Sequence, residues 1–159
     1  MTHAYGRALV GERAVGKVTR NQGVNLTVVG AIALDGVRAL MAYEGGTTRE
    51  AFMHFLQTVL LPSLNKGDVV ILDNLSAHHC DGVVKAIESV GATALYLPPY
   101  SPELNPIEMA WSKLKNLLRR IGARTLRRLA AALERCCPRI QLNDIAGWFA
   151  HCGYEAQPK

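Results

Sequence analysis

Lys66–Glu108 reads KGDVVILDNLSAHHCDGVVKAIESVGATALYLPPYSPELNPIE. Lys66-Gly67 is a turn signal. The apolar residues Val69, Val70, Ile71 and Leu72, set between Asp68 and Asp73, have the pattern of a short strand buried on both faces. A helical segment follows from Asp81 to Val90, closed by Gly91, and a second buried run spans Thr93 to Leu97 and stops at Pro98-Pro99. Strand, helix, strand in that order predicts a parallel pair joined by a right-handed crossover.

Upstream, Asn25 to Leu34 and Val37 to Tyr43 read as strands joined by the hairpin signal Asp35-Gly36. Gly45 to Thr48 breaks the second strand and offers a helix cap. Phe52, Phe55, Leu56, Val59 and Leu60 then recur at helical spacing until Pro62. Downstream of the proline-rich loop 98–106, Ile107, Ala110, Trp111, Leu114, Leu117, Leu118 and Ile121 form one apolar stripe, with Gly122 as its stop. Two more helices are expected, Thr125 to Cys137 and Asn143 to Cys152, the second turning Ile145, Trp148, Phe149 and Cys152 inward. The predicted organisation is an antiparallel hairpin, a helix, a parallel βαβ unit and three terminal helices, an α/β or α+β core with a helical C-terminal tail. Residues 1–122 form the main body and 123–159 an extension of the same domain.

The chain has 159 residues, 49% of them hydrophobic and 19% charged, which suits one globular domain and excludes a disordered chain. No apolar run approaches the roughly 18 residues of a membrane span, and MTHAYGRALVGER lacks a signal-peptide core. The reading is therefore a cytoplasmic protein without a membrane partner. Cys80, Cys136, Cys137 and Cys152 show no paired spacing, so free thiols are expected rather than disulfides or a zinc cluster with His151. Nine of the 18 Lys and Arg residues fall between Lys113 and Arg139, where Glu134 is the single acid. A one-signed block of this kind suits a polyanion such as nucleic acid, or else a solvated helix face.

Two carboxylates stand where chemistry is usual. Asp73 ends a buried strand, the place where α/β sheets present reactive groups, although Asp73-Asn74 also reads as a plain strand end and turn. Glu108 falls in the first turn of the amphipathic helix, where Asn105-Pro106-Ile107-Glu108 also reads as a capping box. The two are separated by 34 residues. Two-metal phosphoryl transfer needs several carboxylates converging on ions about 4 Å apart.

The strings Val70-Ile-Leu-Asp-Asn-Leu-Ser-Ala-His78, Leu97-Pro-Pro-Tyr-Ser-Pro-Glu-Leu-Asn-Pro-Ile-Glu108 and Trp111-Ser-Lys-Leu-Lys115 resemble the mariner-like superfamily of DDE transposases, nearest to its bacterial insertion-sequence branch. The likeness runs from Tyr5-Gly-Arg-Ala to Trp148-Phe-Ala-His-Cys-Gly-Tyr154. It implies an RNase H-like fold whose three acids bind two Mg²⁺ or Mn²⁺ ions, with Asp73 as the second acid and Glu108 as the third. It also implies that Asn74 and His78 shape the site or touch DNA, and that Asn105 caps the helix and aims Glu108. Transposon ends and target DNA are the implied partners. Lys113, Lys115, Arg119, Arg120, Arg124, Arg127 and Arg128 would supply the phosphate-contacting surface.

The family's first acid sits on a central strand just upstream of the segment matched by Met1 to Ala8. The expectation is therefore that this chain lacks that strand, leaving its neighbours about 10 Å apart with unpaired backbone between them. Asp35 and Asp68 lie at the wrong ends of their elements to replace the missing acid. As an isolated chain the protein then reads as an inactive transposase catalytic domain, completed by an upstream chain or acting as a DNA-binding or homodimerising fragment. A nuclease unrelated to transposition would share the fold but not the proline-loop match.

Overall fold

The computed structural model describes residues 8–13, 25–123 and 125–155. Strands β1 (Leu26–Ala33) and β2 (Gly36–Glu44) form the expected antiparallel hairpin, with Leu26 opposite Glu44 and Ala33 opposite Gly36. Gly36 takes φ +138°, a conformation that glycine tolerates at this two-residue turn. Arg38 grips both carboxylate oxygens of Asp35 and donates to the Ser63 carbonyl at 2.8 Å, tying the hairpin to the segment that follows.

Helix α1 (Arg49–Phe55) is capped by the Thr48 hydroxyl, which accepts from the Ala51 amide. It widens into a π-helical turn, Leu56–Leu60, and tightens into a 3₁₀ turn, Leu61–Ser63. Pro62 has no N–H for the carbonyl four residues back, so the regular α ladder cannot pass it. Phe52, Phe55, Leu56 and Leu60 are buried against Val70 and Leu72 of β3 (Val69–Leu72) and against Val83 and Ile87 of α2 (Val83–Ser89).

Strand β3 pairs in parallel with β4 (Thr93–Tyr96), Val69 opposite Thr93 and Leu72 opposite Tyr96, as the strand-helix-strand order predicts. The ladder extends one step further, because the Leu97 amide donates to the Leu72 carbonyl at 2.9 Å. Burial on both faces is not observed: Val70 and Leu72 are buried, whereas Val69 is 58% exposed and Leu95 51%. Alternate side chains point to opposite faces of a strand, and only one face here meets the α1 core.

Among the described residues the four strands form two separate two-stranded sheets, as expected of a sheet without its central strand. Between them lies a cavity of 690 Å³ walled by residues 28–33 of β1 and 69–72 of β3. A cavity on a sheet face would touch every second residue. This one touches consecutive residues of both strands, so it runs along their edges.

The long helix α3 (Pro106–Ile121) crosses the hairpin, and α4 (Leu126–Cys136) and α5 (Leu142–His151) pack against it. Leu114 and Leu118 of α3 are buried with Ala132, Leu133 and Cys136 of α4, over Leu26 and Val28 of β1. Gly122 closes α3 with φ +64°, and a 3₁₀ turn, Cys137–Arg139, contains Pro138. The four cysteines are free thiols. No helix among the described residues is long and apolar enough to cross a membrane.

Gly30 of β1 is closely packed by its neighbours. A Cβ there would stand 2.9 Å from the Ala39 carbonyl oxygen and 3.3 Å from the Trp111 ring. Gly30→Ala is expected to destabilise the protein by about 1–3 kcal/mol, the usual cost of overpacking, read as a lower denaturant midpoint at unchanged slope. An unchanged midpoint would show that hairpin and α3 can part without cost.

Candidate active site

Asp73 follows the last residue of β3, and its carboxylate is fastened from one side. Its Oδ1 accepts from the Leu75 amide at 3.0 Å, an Asx turn, and lies 2.6 Å from Nδ1 of His78. The histidine contact is close but not aligned as a hydrogen bond, so His78 Nδ1 is buried without a well-directed partner. The ring is wedged against Phe52, with centroids 4.2 Å apart and a side chain only 14% exposed. His78 holds the Asp73 carboxyl below the usual carboxylate range; partial burial opposes this and the Leu75 amide reinforces it.

Both contacts fall on Oδ1, which leaves Oδ2 of a carboxylate 43% exposed to act as a donor. Glu108 is the third residue of α3 and is exposed, with its amide donating to the Asn105 carbonyl at 3.1 Å. Asp73, His78, Asn105 and Glu108 line the same cavity between β1 and β3. Two carboxylates lining one cavity are hard oxygen donors of the kind Mg²⁺ and Mn²⁺ prefer, with positions to spare for water and phosphate oxygens. The donor set therefore fits a divalent cation, although no group of three or more potential metal ligands occurs among the described residues.

The capping box is not formed. Asn105 occupies the N-cap position by backbone geometry, but its side chain makes no capping bond and is 8% exposed. With Pro106 at the first helical position one of the orphan amides is already absent, and the Asn105 side chain is instead buried in the cavity wall. Asn74 is held by protein contacts beside Asp73: its amide nitrogen donates to the Leu97 carbonyl and its oxygen meets His79 Nε2 at 2.9 Å.

Asp35 and Asp68 also line the cavity. Asp35 is held by Arg38, and Asp68 accepts from the Asn65 amide at 2.8 Å. Along β3, Asp68 and Asp73 are about 16 Å apart at the usual strand rise, too far to share a pair of ions.

The basic residues separate into two kinds. Lys113 is engaged by Asp144 of α5, a contact that lowers the Asp144 pKa, with the Gln141 amide adding to it. The pair ties α3 to α5. Lys115, Arg120, Arg127 and Arg128 are exposed on α3 and α4, and Arg119 donates to Asn116 at 3.2 Å. Arg124 and the Tyr5-Gly-Arg segment lie outside the described residues. Two further residues lie beside the Asp73 turn, His79, which the sequence pairs with His78, and Tyr96, which it did not single out. The doubled His78-His79 was a signal, and Tyr96 becomes one once the β3–β4 register places it opposite Leu72.

Residues 1–130 match the family model described as DDE superfamily endonuclease. Among solved structures the chain is similar to the Mos1 mariner paired end complex with Mn, with TM-score 0.53 and 17% identity over 90% of this chain and 50% of that one. It is also similar to the Mos1 strand transfer complex, with TM-score 0.50 and 15% identity over 96% of this chain and 51% of that one. At these identities the likeness is one of fold, and it makes the arrangement RNase H-like. The chain spans about half the length of these structures. No curated protein matches it.

The Asp73–His78 contact has a measurable consequence. A carboxylate held below its ordinary pKa of about 3.9 adds stability above that pH and loses it as pH falls through the native value. His78→Ala is expected to move the Asp73 pKa upward in a carboxyl ¹³C titration and to shrink the acid-side loss of stability. A titration curve identical to wild type would show that the Leu75 amide alone holds the carboxylate.

Proposed function

The chain belongs to the DDE superfamily endonucleases, and from that premise we propose that it is a transposase catalytic domain of the mariner-like kind. Asp73 and Glu108 are two of its three metal-binding carboxylates. The observation that carries this reading is that one carboxylate ends β3, the other opens α3, and both stand on the wall of one cavity. Two Mg²⁺ or Mn²⁺ ions held there would activate water or a DNA 3′-hydroxyl and stabilise the departing 3′ oxygen.

The chain's own residues have separate tasks. Asp73 presents Oδ2 while Oδ1 is fastened, and Glu108 projects from a helix start where a negative charge is favoured by the helix dipole. Lys115, Arg119, Arg120, Arg127 and Arg128 hold DNA phosphates beside the site and carry no base information.

The third carboxylate belongs on a strand seated in the cavity. The cavity runs along the facing edges of β1 and β3, where an added strand could pair with both. Without that strand the site holds two of the three carboxylates, and residues 1–159 bind DNA and cleave none.

Purified residues 1–159 are expected to bind duplex DNA with an affinity that falls steeply with salt. Neutralising Lys115, Arg120, Arg127 and Arg128 should flatten the log–log salt slope by up to about 3.6, at about 0.9 per lost phosphate contact. Metal-dependent nicking of transposon-end DNA should appear only when a strand bearing an Asp is added upstream, and Asp73→Ala or Glu108→Ala should abolish it. Nicking by residues 1–159 alone, lost in Asp73→Ala, would overturn the missing-strand account. DNA affinity indifferent to the four neutralisations would overturn the assigned DNA surface.

A further inference from the structure

The turn that carries Asp73 and His78 is mostly outside the core. Asn74, Leu75, Ser76 and His79 are exposed, and its internal hydrogen bonds are short-range: His78 N–H to the Leu75 carbonyl at 2.8 Å and His79 N–H to the Ser76 carbonyl at 3.3 Å. Such a turn, ending a four-residue strand, would by itself leave a side chain at its first residue free to sample several directions.

Four contacts close around it, three of them from Tyr96 and Leu97 outside the turn. The Tyr96 hydroxyl donates to the His78 carbonyl at 2.6 Å. The Tyr96 ring lies flat against the His79 ring, with centroids 4.3 Å apart and planes 15° apart. His79 Nε2 meets the Asn74 side-chain oxygen at 2.9 Å, and the Asn74 amide nitrogen donates to the Leu97 carbonyl. Leu97 in turn donates its own amide to Leu72, the residue before Asp73. The circuit fixes a proton as well. A backbone carbonyl can only accept, so Asn74 must turn its NH₂ to Leu97 and its oxygen to His79, which makes His79 Nε2 the donor.

We propose that His79 and Tyr96 are positioning residues that fix the direction of the Asp73 carboxylate. Tyr96 pins the His78 backbone, and the His78 ring meets Asp73 Oδ1; His79 pins Asn74, the residue next to Asp73. Neither residue lines the cavity shared by Asp73 and Glu108, so each acts through its neighbour rather than on a ligand. Aromatic stacking and hydrogen bonding at this point hold an exposed turn to the end of β4, which a plain strand ending does not require. The inference rests on Asp73 being a metal ligand, the reading proposed above.

The test is amide hydrogen exchange on the full chain. Leu75 N–H donates to Asp73 Oδ1 and reports on that carboxylate, while Thr93 N–H, bonded to the Asp68 carbonyl at the far end of β3, reports on the sheet. Tyr96→Phe removes one hydroxyl and keeps the stack; His79→Phe keeps an aromatic ring and removes the N–H donor. Each should speed Leu75 exchange about tenfold, the worth of one lost hydrogen bond, leave Thr93 within a factor of two, and weaken Mn²⁺-induced broadening of the Leu75 signal. Unchanged Leu75 exchange in both variants overturns the proposal, and so does equal acceleration at Leu75 and Thr93, which marks general loosening. Absence of Mn²⁺ broadening in the wild type would count against the metal reading alone, since the exchange comparison judges the positioning role without it.

Discussion

The parallel pairing of β3 with β4, prolonged by the Leu97 amide on the Leu72 carbonyl, is the constraint on which the site depends. Asp73 and Glu108 are far apart in the chain. The pairing brings the start of the proline loop beside Asp73, and from there ten residues lead into the first turn of α3. The loop is stiffened by Pro98, Pro99, Pro102 and Pro106, whose fixed φ angles leave little conformational freedom. Tyr154 holds its far side by donating to the Leu104 carbonyl at 2.8 Å, so the C-terminal helices steady the segment that delivers Glu108.

Asp35, Asp68, Asp73 and Glu108 all line the cavity. Asp35 is held by Arg38 and Asp68 accepts from the Asn65 amide. Both contacts of Asp73 fall on Oδ1, and Glu108 is exposed. Along the cavity run the open edges of β1 and β3, backbone that has no strand partner among the described residues. Buried backbone donors and acceptors require partners, and an extended segment offers the pairing that two facing strand edges demand.

Much of this was legible in the sequence because the signals were periodic. Alternation and turn residues placed the hairpin, helical spacing placed α1 and α3, and the run Val69 to Leu72 placed β3. What periodicity could not give was the environment on each side. A continuous apolar run implies burial on both faces only if both faces are covered, and here Val69 and Leu95 stay exposed. The Asn105 capping box failed for a similar reason: the local pattern N-x-x-E is right, but the tertiary setting buries Asn105 in the cavity wall. Lys113 looked like one more cation in a basic block until α5 brought Asp144 against it. Side-chain partners supplied by distant segments are the part of a site that a linear reading does not contain.

The central claim is that Asp73 and Glu108 serve one cation layer, and paramagnetic broadening tests it even for weak binding. Carboxyl ¹³C spectra of the full chain would be recorded during titration with substoichiometric Mn²⁺. The account predicts that the Asp73 and Glu108 signals broaden first and in step, ahead of Asp35, Asp68 and the exposed Glu103. Broadening of only one of the two, or of Asp35 and Asp68 first, would contradict it.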